Sequence, residues 1–73
     1  MFGDPVELIE LANTRMPFGK HQGQLLINVP ERYLLWLIDQ ELAKGKLAVQ
    51  LEQIMSIKLN GLESLIKPLI KPA

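Results

Sequence analysis

The sequence predicts a small α+β domain, mostly helical: an N-terminal helix, a short β-hairpin, two longer helices and a C-terminal turn. Three observations predict it. Apolar residues recur at spacings of three and four on both sides of one glycine-bracketed stretch, which itself has no helical period. Seventy-three residues allow a single domain, taken here as 1–73 with 1–3 and 71–73 frayed, close to the lower size limit for folding unaided. The chain has no cysteine, so neither disulfides nor thiolate metal sites supplement its core.

"DPVELIELANTR" opens with Asp4 as N-cap and Pro5 at the first helical position. Val6, Ile9, Ala12, Leu8 and Leu11 then form one apolar stripe, and the helix ends near Asn13. "RMPFGKHQGQLLINV" follows, with Gly19 and Gly23 bracketing a polar tip, and reads as a β-hairpin. Pro17 lacks an amide hydrogen and belongs on an edge. The second arm packs Leu25 and Ile27, or Leu26, against the helices, and Phe18 anchors the hairpin in the core.

In "NVPERYLLWLIDQEL", Asn28 and Glu31 make a capping-box variant, which starts the second helix at Val29. Tyr33 to Ile38 are all apolar or aromatic, so this helix is expected to be buried on more than one side, with Tyr33 and Trp36 in the core by default and, as the alternative, Leu35 or Trp36 on the face opposite the main core in an inter-subunit contact. Gly45 suits the left-handed residue that ends it. Leu47, Leu51, Ile54, Met55, Leu59 and Leu62 are spaced at three and four and mark the third helix, for which Asn60 and Gly61 are the stop. "LESLIKPLIKPA" then forms a turn or two before Pro68 and packs across the core.

Eight basic and eight acidic residues give zero formal charge, so the strong overall positive field of a non-specific DNA binder is absent and any nucleic-acid contact is local. The longest apolar run, "YLLWLI", is too short to span a bilayer. The acidic start "MFGDPVELIE" lacks the basic region of a signal peptide, so a cytoplasmic location is expected.

The candidate chemistry is concentrated in "FGKHQGQ". Backbone amides around Gly19 and Gly23 could form an anion-binding nest, with Lys20 and His21 adding positive charge and Arg15 and Arg32 flanking it. The competing reading is a plain turn with two positive-φ glycines. The stretch is not a P-loop, which needs four residues between its glycines and a Lys-Ser/Thr end. His21 is the sole histidine, so no transition-metal cluster is expected, and no catalytic constellation or nucleophile elbow is present. No cofactor and no enzymatic activity are expected. A helix face carrying Lys44, Lys46 and Lys58 is weakened as a DNA surface by Glu52.

"MPFGKHQGQLLINVPERYLLWL" and "GKLAVQLEQIMSIKLNGLESLIKPL", over roughly residues 5 to 69, resemble the small bacterial proteins labelled "putative quorum-sensing-regulated virulence factors". Met16 to Lys20 and Gly23 match the first block of that pattern, while His21 stands in place of tyrosine or a basic residue and Asn28 in place of aspartate. The first two blocks also resemble a C-terminal module of exonuclease-X-like proteins. That second resemblance implies association with DNA processing, not nuclease activity, whose carboxylates lie in a different domain. The resulting expectation is a non-enzymatic module that contacts DNA or RNA phosphate through the Gly19-Lys20-x-x-Gly23 hairpin. Its alternative is a protein-interaction or regulatory adaptor that uses the Tyr33 to Ile38 helix, with a second copy or another protein as partner.

Overall fold

The computed structural model describes residues 4–72 and contains four α-helices: α1 (Pro5–Asn13), α2 (Glu31–Asp39), α3 (Lys46–Leu59) and α4 (Glu63–Ile66). Two 3-10 turns complete it, at Leu26–Asn28 and Lys67–Leu69. Of the ends expected to fray, residues 1–3 and 73 lie outside the described residues. Lys71 donates its amide to Asn13 Oδ1 at 2.8 Å.

The fold is all-α, which corrects the α+β expectation. No strand or sheet forms among the described residues; where the hairpin was expected, a single isolated antiparallel bridge joins Arg15 to Leu25. The reason lies in both arms. Pro17 cannot donate to a ladder. On the other arm Leu25, Leu26 and Ile27 are all buried, a demand that the alternating faces of a strand cannot meet, and the chain coils into a 3-10 turn instead.

α1 starts as its sequence dictates, with Asp4 Oδ1 accepting the Val6 amide at 2.9 Å and Pro5 in the first turn. α2 does not. Pro30 occupies its cap position without a side-chain cap, Asn28 belongs to the preceding 3-10 turn, and Val29 is fully buried. A cap contributes about 1 kcal/mol, whereas burying each large aliphatic side chain contributes about 1.5–3 kcal/mol. Burial of Leu25, Leu26, Ile27 and Val29 therefore decides where the chain goes.

The core joins Leu11 and Ala12 of α1, Met16, Leu25, Leu26, Ile27 and Val29, Leu34 and Leu37 of α2, Leu51, Ile54, Met55 and Ile57 of α3, and Ile66 of α4. Only one stripe of α2 is buried, contrary to the expectation of burial on more than one side: Leu35 and Trp36 are 58% and 49% exposed. Phe18, expected as a core anchor, is 37% exposed, and Met16 takes the buried place. In an extended arm residues 16 and 18 would share a face, but the bend at Phe18 and Gly19 turns the phenyl ring outward.

Both long helices end in Schellman motifs. In α3 the Leu62 amide reaches Ile57 O at 2.9 Å around Gly61; in α2 the Leu42 amide reaches Leu37 O at 3.1 Å around Glu41. Gly45, expected to end α2, instead precedes α3, and Glu41 takes the left-handed position with φ 54°. The C-terminal segment lies against α1. Asn13 Nδ2 donates to Leu69 O at 3.0 Å, and Leu69 and Ile70 pack partly buried against the core.

Candidate functional site

The segment from Arg15 to Leu25 is a closed loop held at its base by backbone bonds. The Met16 amide donates to Gln24 O at 2.7 Å, the Gly23 amide to Met16 O at 2.9 Å, and the Leu26 amide to Thr14 O at 3.0 Å. Arg15 closes it further by donating from Nη1 to Gly23 O at 2.7 Å. Within the loop the Gln22 and Gln24 amides bond to Gly19 O and His21 O. The amides of Gln22, Gly23 and Gln24 thus point at carbonyls of the loop itself, so these three do not converge as a nest.

Gly19 fixes the loop against α2. Its φ is +79°, and a β-carbon there would meet the Tyr33 hydroxyl at 2.5 Å. Glycine is thus required twice at this position, for its backbone angle and for the tyrosine that lies over it. His21 sits on the same ring, its centroid 4.6 Å from that of Tyr33 in an edge-on arrangement, while its Nδ1 donates to Gln24 Oε1 at 2.6 Å. Tyr33 in turn faces Trp36, with centroids 5.8 Å apart and planes tilted by 33°.

These contacts create a surface groove of about 360 Å³ lined by Lys20, His21, Pro30, Arg32, Tyr33 and Trp36. Helical geometry explains the α2 contribution. Arg32 and Trp36 are four apart and Tyr33 and Trp36 three apart, so all three share one side of the helix. Two fixed cations line the groove and no carboxylate does.

The structure therefore brings Lys20, His21 and Arg32 together, as the sequence suggested. Arg15 and Gly23 are bonded to each other at the loop base, and Gly19 lies beneath Tyr33. Tyr33 packs half-buried against the core as expected, with its ring also lining the groove, whereas Trp36 is half exposed, which corrects its default place in the core. The signal for them was present in the i, i+3, i+4 spacing with Arg32. Their exposure was not readable, because a run of six apolar residues gives no preferred face.

Lys46 at the start of α3 and Lys44 just before it are differently placed. Lys46 forms an ion pair with Glu10 of α1. Lys44 shares a cavity of about 330 Å³ with Glu41 and Glu52. Among the described residues no group of three or more His, Cys, Asp or Glu is placed to hold a metal, and no helix is long and apolar enough to cross a membrane.

Residues 4–69 match the family model described as "Putative quorum-sensing-regulated virulence factor". Two relatives, each named "Uncharacterized protein YpeB", from Escherichia coli strain K12 and Escherichia coli O157:H7, are 48% identical over 67 residues, covering 90% of this chain and 93% of the relative. No solved structure matches it significantly. With residues 4–69 matched by the family model and two relatives 48% identical over 67 residues, the chain belongs to the family of "putative quorum-sensing-regulated virulence factors".

Proposed function

We propose that the chain is a small, non-enzymatic cytoplasmic module that associates with nucleic acid, contacting phosphate through Lys20 and Arg32. The convergence of Lys20, His21 and Arg32 with two aromatic rings in a groove lined by no carboxylate carries this reading. Cations beside flat rings are the side chains that nucleic-acid surfaces use, and the site holds no paired acid and base for chemistry. The resemblance of "FGKHQG" and "PERYLLW" to the exonuclease-X-like module points the same way. The test is a salt-titrated binding assay with DNA. Measurable affinity at about 20 mM salt is expected, falling as salt rises and falling again in Lys20→Ala. A folded chain with no affinity at low salt, or with affinity indifferent to Lys20→Ala, overturns it.

One observation favours a second reading. Leu35 and Trp36 are exposed side by side on α2, the kind of apolar pair that a partner helix or a second copy covers. On this reading the chain is a protein-interaction adaptor. Sedimentation equilibrium then shows a concentration-dependent dimer, or a pull-down a captured partner, that Leu35→Glu abolishes. A strict monomer with no captured partner counts against it.

A further inference from the structure

We infer that the groove between the Gly19 to Gly23 loop and α2 is a single-strand site, taking an unpaired base on Trp36, which Tyr33 supports, while Lys20 and Arg32 hold the adjoining phosphates. The inference rests on the nucleic-acid reading above and narrows it to one form of nucleic acid.

Charge supplies the first argument. Duplex binders draw their affinity from many phosphate contacts, each weakened by salt. This groove offers two fixed cations on a chain of zero net charge, too few for a duplex to be held by phosphate contact alone. An added source of affinity is needed, and ring stacking on exposed bases is one that paired bases cannot provide.

The surface beside the groove supplies the second. α2 carries Arg32 and Trp36 on one line and Glu31, Leu35 and Asp39, again spaced by four, on the next. These last three are all exposed. A duplex laid across the groove would spread its phosphates over Glu31 and Asp39, whose carboxylates repel them. A single strand is narrow enough to follow Lys20, Tyr33, Trp36 and Arg32 without crossing that line. A helix presenting leucine and two carboxylates is also poorly suited to reading a major groove.

The rings supply the third. Tyr33 is held between His21 at 4.6 Å and Trp36 at 5.8 Å, with Gly19 beneath its hydroxyl. That support leaves little motion to lose on binding. Trp36, at the end of the row, keeps half its surface open, the position in which an added base can lie against a ring.

The test uses the full chain with a labelled twelve-nucleotide single strand and the same sequence as a duplex, read by anisotropy at low and moderate salt. Trp36, the only tryptophan, serves as a second reporter. Expected are single-strand affinity at least about tenfold above duplex, quenching of Trp36, and loss of about five- to a hundredfold of single-strand affinity in Trp36→Ala with an unchanged salt slope. Trp36→Phe keeps a stacking ring and retains most of the affinity. Lys46→Ala, outside the groove, changes nothing. Equal single-strand and duplex affinity, or single-strand binding without quenching of Trp36, overturns the inference; if Lys20→Ala still weakens binding, the broader nucleic-acid reading survives. No binding of either strand form overturns both. If Trp36→Ala fails to fold, the strand preference and the wild-type quench decide.

Discussion

At Gly19 a methyl group would meet the Tyr33 hydroxyl at 2.5 Å, so the tyrosine must move to admit it. The φ of +79° alone costs an L residue about 1–2 kcal/mol, and the β-carbon would press on the Tyr33 hydroxyl. Gly23, at φ +89°, has open space around it, so the backbone cost acts there alone. Gly23→Ala is therefore expected to lower stability by about 1 kcal/mol and Gly19→Ala by about 2 kcal/mol or more, measured by urea denaturation. Gly19→Ala should also move the Tyr33 ring resonances, and Gly23→Ala should not; equal effects would show that the loop is not seated on Tyr33. Glu41 is the opposite case, a side-chain residue where the backbone asks for glycine. Replacing Glu41 with glycine relieves the left-handed strain at the end of α2 and should raise stability by about 0.5–1 kcal/mol, a gain visible as a higher urea midpoint at constant m-value.

Among the elements, α2 separates core from site most sharply. Leu34 is fully buried and Leu35 is exposed, so Leu34→Ala is expected to cost about 2–5 kcal/mol and Leu35→Ala less than about 0.5 kcal/mol. Similar losses from both would mean that α2 is covered on two sides. The C-terminal segment is tied differently, by polar bonds to α1: Asn13 donates to Leu69 O at 3.0 Å and accepts the Lys71 amide at 2.8 Å. Asn13→Ala should cost about 1–2 kcal/mol and release the Lys71 amide to fast hydrogen exchange, while amides in the middle of α3 keep their protection.

These elements also show what the sequence could and could not convey. Asp4 with Pro5, and Asn60 with Gly61, are local signals whose chemistry acts within one turn, and the helices begin and end where those residues indicate. Asn28 and Glu31 carry an equally good local signal that tertiary burial of Leu26, Ile27 and Val29 overrides. The hairpin failed for the same reason, since three consecutive buried residues cannot lie on one face of a strand. In the site, Lys20, His21 and Arg32 were readable as charge near glycines. The rings that complete the groove were not, because which side of Tyr33 to Ile38 faces the core depends on where α3 packs.

Across the whole molecule, zero net charge conceals an uneven distribution. Lys46 is paired with Glu10, and Lys44 stands among Glu41 and Glu52, so the α3 side offers little net field. Lys20 and Arg32 instead line a groove without carboxylates. This difference predicts the salt dependence of binding. If only Lys20 and Arg32 meet phosphates of a single strand, the slope of log affinity against log salt is about −0.7 for each, or roughly −1.4 together, and a tenfold rise in salt weakens binding about 25-fold. Lys20→Ala should bring the slope to about −0.7, whereas Lys44→Ala and Lys46→Ala should leave it unchanged. A slope steeper than about −3, or one reduced by removing Lys44 or Lys46, would place the nucleic acid on the α3 side instead. The stacking contribution is nearly independent of salt. Binding that survives at high salt should therefore disappear with the Trp36 ring and persist without Lys20, which separates the two halves of the groove in one titration series.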